Sequence, residues 1–344
     1  MTARLRRSVA VVGAGIAGIA AARTLRALGA DVAVFDKGRA AGGRVATRRR
    51  EAHQFDHGAQ FFTVRTPGFA AALLPLQEAG VVARWTGPFH RLEHGMVDAD
   101  PRPGAERWVG VPGMSALPRA LAHGLPVAVG GKVEALRRAA DGWTLTVADA
   151  AVAGGAAIAR GPFDAVVLAI PTAQAHALLQ ANALAGPVAD AAAARALALQ
   201  PCLAALVAFT RPVEGARGAF FVTDEALAWA AHDGGKPGRD GAPTYVLHGA
   251  AAWSAQRFDQ DVTANAQALV DAFALCLGRQ LPPVAHLEGH RWRFALAAEG
   301  APGAAAVVDA TQRLALCGDG LVGGRVEGAW GSGVAAAEQL LAGW

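Results

Sequence analysis

SVAVVGAGIAGIAAARTLRALGADVAVFD, residues 8–36, decides how the rest of the chain is read. Val9–Val12 is a short β-branched run suited to a buried parallel strand. Gly13, Gly15 and Gly18 follow at G-x-G-x-x-G spacing and open a helix whose apolar positions Ile16, Ile19, Ala20, Leu25 and Leu28 recur with the helical period. That spacing answers a specific demand. The first glycine makes a tight turn, the second admits a pyrophosphate to the backbone, and the third lets helix and strand pack closely. The first N–H groups of the helix, at Ile16 and Ala17, offer a partial positive charge to phosphate. Gly29 ends the helix, Asp31–Phe35 forms the next strand, and Asp36 stands at its end, 18 residues past the third glycine. A carboxylate there accepts from a ribose diol, which favours NAD or FAD over NADP.

The chain as a whole is consistent with a globular enzyme. At 344 residues it has room for about two domains, and its 53% hydrophobic and 17% charged composition excludes disordered or fibrous classes. The net charge of +4 is mild, and apart from Arg48–Arg50 the basic residues are scattered without interleaved aromatics, so no nucleic-acid partner is expected. Cys202, Cys276 and Cys317 are odd in number and lack C-x-x-C spacing, which points away from disulfides and metal and toward a reducing, cytoplasmic setting. No apolar run reaches the roughly 20 residues that span a bilayer, so no membrane partner is expected either.

Directly after Asp36, KGRAAGGR brings Lys37, Arg39, Gly43 and Arg44 together in a second glycine loop. This resembles the second motif of FAD enzymes in the amine-oxidase and renalase superfamily, and the resemblance implies that these residues lie along the FAD, near its pyrophosphate and flavin. Phe55–Phe62, FDHGAQFF, resembles the flavin-proximal segment of the same enzymes. Small residues at Gly58 and Ala59 would let the backbone pass flat along an isoalloxazine ring. Gln60 and Phe62 are then expected to face the ring or the substrate. His57 is not read as a base, because hydride transfer to a flavin requires none. His53, His90 and His94 read as surface or loop residues.

Further on, 68–79 reads as an amphipathic helix, 82–85 and 90–92 as short strands, and RWVGVPGM as the approach to a helix through Leu121. Strands follow at 126–129, 132–136, 143–147 and 163–170, and the resemblance sets the backbone of Val133 against the adenine. Between 203 and 296 the strands LAALVAF, FFVT, TYVLHGA and HLEGHRWRFAL, with a loop at 233–243 and a helix at 262–277, suit a substrate domain covering the flavin. His248, Arg291 and Trp292 are its candidate pocket residues. The C-terminal strand ending in Gly318-Asp319 resembles the third FAD segment, with both residues at the ribityl or phosphate region. A helix starting near Glu327 is expected to aim its positive end at the flavin N1 and C2 carbonyl through Val326, Glu327 and Gly328, with Trp330 beside the ring. Such a terminus contributes about 0.3–1 kcal/mol to an anion when exposed and up to about 2 when partly buried.

The expected fold is therefore α/β (α+β overall). A Rossmann-like FAD-binding domain of the amine-oxidase/renalase type would be discontinuous over 1–65, 110–175 and 300–344, with a mixed-sheet substrate domain over 66–109 and 176–299. FAD is expected to be non-covalent, since no SGGC-like attachment sequence is present. Amine oxidases of this superfamily use an aromatic pair, commonly tyrosines, and a lysine near flavin N5. This chain has one tyrosine, Tyr245, and no lysine after Lys236. Renalases are matched instead through GAGIAG, DKGRAAGGRVATR, DHGAQFF, RWVGVPGMSAL, KPGRD, HRW and CGDGLVGGRVEGAW. That resemblance implies oxidation of a dinucleotide substrate, 2- or 6-dihydro-NAD(P), with molecular oxygen as the second partner and hydrogen peroxide as product. An amine or polyamine oxidase and a non-catalytic flavin or NAD sensor are the alternatives. Isomer preference, phosphorylated form and oligomeric state stay open.

Overall fold

The computed structural model describes residues 7–50, 53–93, 95–149, 157–196, 199–297 and 303–343. Two compact units divide the chain: Met1–Gly43, Pro118–Leu199 and Ala297–Trp344 form one, and Arg44–Leu117 with Gln200–Leu296 form the other. The division departs from the expected boundaries in several places; residues 110–117, expected in the FAD-binding domain, lie in the second unit. Residues 44–65 lie in the second unit, because the strands Arg48–Arg50 and His53–Phe55 pair with each other and Phe55 enters that unit's core. Residues 176–199 lie in the first, because the helices Thr172–Ala181 and Pro187–Ala196 bury Leu178, Leu179, Val188 and Ala192 against its sheet. The expected boundary at 299/300 lies outside the described residues, as does His94.

In the first unit the apolar run after Ser8 becomes the strand Ser8–Val12, paired in parallel with Asp31–Asp36 on one side and Ala165–Leu168 on the other. Leu314–Leu316 and Val127–Val129 extend the parallel sheet, and Val307–Asp309 closes one edge antiparallel. Val9, Ala10, Val11 and all of Ala165–Leu168 are buried, as expected for strands covered on both faces. A separate antiparallel sheet of Gly131–Ala139, Gly142–Asp149 and Ala157–Phe163 belongs to this unit; its third strand was not legible in the sequence.

Two helices of this unit meet through small residues. A Cβ at Gly333, in the C-terminal helix Val326–Ala342, would lie 2.1 Å from the carbonyl oxygen of Ala17 in the helix Ile16–Ala27, and Ala20, Ala336 and Ala337 are buried around it. Gly333→Val is therefore expected to push the helices apart and cost about 1–3 kcal/mol in urea unfolding. An unchanged midpoint would contradict this packing.

The second unit is built on a seven-stranded sheet in the order Val284–Ala297, Leu199–Phe209, Thr244–Gly249, Leu227–His232, Ala219–Val222, Phe89–Glu93 and Met96–Asp98. Its second strand, Leu199–Phe209, is buried on both faces. Leu203, Ala205, Val207 and Phe209 pack with the helix Val262–Leu277, while Ala204, Leu206 and Ala208 pack with Phe55 and Val246 on the other face. The expected helix at 262–277 is present at those bounds, N-capped by the Asp261 side chain accepting from Ala264 N–H. Leu227–His232 is a strand that the sequence reading left out. No helix among the described residues is long and apolar enough to cross a membrane.

Candidate functional site

The glycine turn of the first unit leaves a clear cradle. A Cβ at Gly18 would stand 1.8 Å from the Gly13 carbonyl oxygen, whereas one at Gly15 would meet no protein atom within 4 Å. The helix beginning at Ile16 has no side-chain cap, so the N–H groups of its first turn, including Ile16 and Ala17, have no side-chain acceptor from the cap position. The second glycine loop docks on the first: Gly42 N–H donates to the Ala14 carbonyl at 2.8 Å, and Gly15 and Gly42 form a parallel bridge. Gly42 and Gly43 both have positive φ, +134° and +56°, which this return of the chain requires. Arg39 is exposed, with no protein hydrogen bond or ion pair among the described residues. Lys37 reaches Gln174 Oε1 at 3.1 Å instead.

Asp36 has a further role beyond the expected one. Its Oδ2 accepts from Ala14 N–H and its Oδ1 from Gly38 N–H, both at 2.6 Å, so the carboxylate ties the two glycine loops together and retains lone pairs for a ribose. Asp36→Ala is expected to lower FAD affinity at least tenfold, since loop order and the ribose acceptor are lost together. Asp36→Asn, which keeps one acceptor, should fall between. Equal FAD content and affinity in purified Asp36→Ala protein would refute both roles.

At the C-terminal end, Gly318 (φ +145°) donates its N–H to Ser332 Oγ at 2.8 Å, and Asp319 opens the short helix Asp319–Val322. The long helix starts at Val326, again without a side-chain cap, with Glu327 and Trp330 each 9% exposed in its first turns. Glu327 places a carboxylate at the positive end expected to serve the flavin. A Cβ at Gly328 would stand 3.0 Å from Val322 Cγ2, so this glycine packs against the preceding turn. Val133 is buried in the same core as Val12 and Phe35. Open space at Gly15, two uncapped helix starts and the uncommitted Arg39 are the features a bound dinucleotide cofactor requires, and they fit FAD.

In the second unit, residues 55–62 lie against one face of the large sheet. Gln60 uses its whole hydrogen-bonding capacity there. Its Nε2 donates to the Asp56 and Gly58 carbonyls, and its Oε1 accepts from Trp229 Nε1 at 3.2 Å and Lys236 Nζ at 3.3 Å. It staples the turn and has nothing left to offer a ring or substrate, contrary to expectation. Phe62 is likewise corrected: it pairs with Trp108 across a β-bridge and packs on Phe69, 3% exposed. Its neighbour Phe61 points the other way, toward Trp229 and Phe89. Arg291 is corrected for the same reason of alternation. His286, His290 and Trp292 share the face of Phe55 and His57, and Arg291 is exposed on the opposite face, bonded to the Gln260 carbonyl. Gly58 is small because the protein itself requires it: a Cβ would stand 2.0 Å from the Arg44 carbonyl oxygen and 3.3 Å from Trp292 Cζ2. Ala59 N–H donates to that same carbonyl, and the Arg44 guanidinium donates to the Ala295 carbonyl at 2.8 Å.

His248 and Trp292 are brought together. The His57 carbonyl accepts from Trp292 Nε1 at 2.8 Å and lies 3.2 Å from His248 Nε2. The His57 ring stacks on Trp292 at 5.1 Å and meets His290 edge-on at 4.8 Å. Burial, reinforced by the neighbouring His290, Arg48 and His248 and opposed by Asp56, pulls His57 down to a pKa of about 3. Burial also lowers His248 to about 4, and burial with Arg48 lowers His290 to about 4. All three imidazoles are uncharged at neutral pH.

Behind this face lies a four-member ionic cluster that the sequence reading did not assign. Lys236 Nζ stands 2.7 Å from Asp233 Oδ1 and 3.3 Å from Asp56 Oδ2; Arg239 contacts Asp56 at 2.5 Å and Asp233 at 2.8 Å. Asp56 Oδ1 also accepts from Thr47 Oγ1 and Met114 N–H. Burial works to raise the Asp56 pKa, but Lys236, Arg239 and these hydrogen bonds outweigh it and hold it below the ordinary value. The signal was present in DGGKPGR, residues 233–239, an acid and two cations around a turn, but nothing local says that the loop folds inward. No group of three or more His, Cys, Asp or Glu side chains suited to a metal occurs among the described residues.

Comparison with known proteins agrees with this layout. Residues 11–72 match the NAD(P)-binding Rossmann-like domain, and residues 80–341, most of the chain, match the flavin containing amine oxidoreductase family. Among solved structures, a protein assigned as a protoporphyrinogen oxidase from Exiguobacterium sp. 255-15 superposes with a TM-score of 0.72 at 13% identity, over 97% of this chain and 98% of that one. Putrescine oxidase bound to putrescine gives 0.69 at 15%, over 98% and 99%. At such identities the likeness is one of fold. The cofactor of this family is a non-covalently bound FAD, which the cradle of the first unit fits. The chain belongs to the flavin containing amine oxidoreductase family.

Proposed function

We propose that the chain is an FAD-dependent oxidase of misreduced nicotinamide dinucleotides, with the first unit as FAD-binding domain and the second as substrate domain. The overall reaction is 2- or 6-dihydro-NAD(P) + O2 + H+ giving NAD(P)+ + H2O2. The observation that carries this reading over amine oxidation is the disposition of Tyr245 and Lys236. Tyr245 is buried beneath the helix Val262–Leu277 with its hydroxyl donating to the Ala216 carbonyl, on the sheet face opposite His57. Lys236 is held between Asp56 and Asp233, fully buried. The chain's one tyrosine and its last lysine are therefore both committed elsewhere, and an amine oxidase would have to build its aromatic cage from Trp and Phe. The renalase-like motifs, which run through both units, supply the substrate class.

When bound, FAD accepts a hydride and passes the electrons to dioxygen. The chain's own residues need do little more than position a substrate that is already a strong hydride donor. Gly13–Gly18, Asp36 and Arg39 would hold the ADP half, with Val133 at the adenine. Gly318 and Asp319 would hold the ribityl or phosphate region, and the N–H groups starting the helix at Val326 would stabilise the negative charge that accumulates on reduction. Three uncharged histidines, with no paired acid and base, suit a hydride transfer that needs no proton relay.

The test is anaerobic mixing of the oxidised holoenzyme with 2-, 4- and 6-dihydro-NAD(P) and a panel of amines, followed by flavin absorbance. Rapid bleaching by the 2- or 6-isomer is expected. Bleaching by amines alone would replace this reading with amine oxidation, and no bleaching by any of them would leave a binding protein.

A further inference from the structure

Outward from His248, one face of the large sheet of the second unit carries a row of side chains. Phe221, Trp229 and His248 are direct partners on three adjacent strands, so they stand on the same face, and the rings of Phe221 and Trp229 meet edge to face at 5.0 Å. Phe221 lies two strand spacings from His248, about 9–10 Å. It is half-buried, as is Phe61, whose ring packs on Trp229 at 5.7 Å. Against Phe221 lies Arg102, exposed, its guanidinium 5.1 Å from the ring centroid. The Arg102 side chain has no hydrogen bond or ion pair among the described residues, whereas its neighbours are committed, Arg91 to Glu93 at 3.0 Å and Arg107 to Asp100 at 2.7 Å. The Arg102 backbone is nevertheless fixed. Its N–H donates to Asp100 Oδ1 at 2.9 Å, its carbonyl accepts from Arg107 Nη2 at 3.2 Å, and Arg107 holds Asp100 bidentately at 2.7 and 2.8 Å. Arg107 is 4% exposed and packs on Phe89, its guanidinium 4.0 Å from that ring centroid. A largely buried ion pair thus anchors the main chain of an exposed cation.

We infer that Arg102 binds the pyrophosphate of the dinucleotide substrate, with Phe61 and Phe221 as the apolar floor under the ribose that leads to it. This rests on the dihydro-NAD(P) reading and assigns a contact to the part of the substrate remote from the hydride. With the nicotinamide at His248 and Trp292, one ribose and its 5′-phosphate cover the two strand spacings to Phe221. A guanidinium packed by its face on a ring keeps its N–H edge free, and that edge matches a pair of phosphate oxygens. Much of the ordering cost is met before binding, because the backbone is already tied to Asp100 and Arg107. A polyamine has the wrong sign for this surface, since its far ammonium would face Arg102.

Three oxidised ligands that share the nicotinamide end test this: nicotinamide riboside, nicotinamide mononucleotide and NAD+, which carry no phosphate, one and two. Affinity for the FAD-loaded protein is measured by equilibrium dialysis for wild type, Arg102→Ala and Arg102→Lys, each checked for FAD content. Wild type is expected to bind NAD+ about fivefold tighter than the riboside, with the mononucleotide between them, and the advantage should shrink as salt is raised. Arg102→Ala should bind the riboside and NAD+ about equally. Arg102→Lys, a point charge without the planar fork, should keep part of the advantage. Equal wild-type affinity for the riboside and NAD+, or an undiminished advantage in Arg102→Ala, overturns the inference. The wild-type series decides even if a variant fails to fold. Turnover separates the two claims: oxidation of dihydro-NAD(P) with no phosphate advantage defeats this subsite alone, and an Arg102-dependent advantage without oxidation defeats the proposed reaction alone.

Discussion

Lys236→Met should destabilise the protein by about 3–5 kcal/mol, the range for removing one partner of a buried ion pair. The ammonium lies between Asp56 and Asp233 with no solvent access, and its loss leaves two buried carboxylates facing the single cation Arg239. Water cannot replace it without opening the segment at Asp56 and the turn at 233–239. Gln60 Oε1 would also lose one of its two donors, so the turn around Gly58 should loosen. Adding Asp233→Asn in the same chain restores the charge balance and should recover part of the loss, because what costs most is the uncompensated charge. Urea unfolding of the FAD-loaded protein at neutral pH measures both. A single-variant loss below about 1 kcal/mol would mean that the cluster contributes little and that Arg239 suffices.

The second large effect is on acid stability. The folded-state pKa values of His57, His248 and His290 are depressed to about 3, 4 and 4, below the ordinary 6.5. Between those limits the unfolded chain binds protons that the folded one refuses, so stability falls as the pH drops from about 6.5 toward 4. For His57, which is buried, linkage gives a loss of about 2 kcal/mol between pH 7 and pH 5. His248 and His290 are partly buried and should add losses in the same direction. Asp56 acts with the same sign in a lower window, since its depressed pKa protects the fold until the pH falls below the ordinary carboxylate range. Urea unfolding at pH 7, 6 and 5 should show the decline, with a shallower slope in His57→Phe. A slope identical to that of wild type would mean that His57 does not titrate differently on folding.

How much was legible in the chain depended on whether the signal was local. The glycine turn, its helix and Asp36 could be read directly because each is constrained by backbone conformation and close approach within 30 residues. Helix 262–277 could be read because its period and cap are both local. Phe62 and Arg291 were misjudged for one reason. On an extended segment adjacent residues face opposite ways, and which parity faces the ligand depends on the sheet the segment lies against. Trp229 was missed with its strand, since Leu227–His232 has little of the alternation that announces a half-buried strand.

By itself the sequence determined a parallel α/β unit with a dinucleotide cradle and, through its motifs, a flavoenzyme family, because such features are written in residues a few positions apart. Only the tertiary structure decided what surrounds the chemistry. Gln60 is saturated, Lys236 is locked among acids that lie 3 and 180 residues away, Tyr245 is turned to the far side of its sheet, and His57 Nδ1 and His290 Nε2 are left without hydrogen-bond partners. Each of these depends on burial and on which groups become neighbours across long stretches of chain, and no local pattern encodes the strength of an interaction whose partner it does not contain.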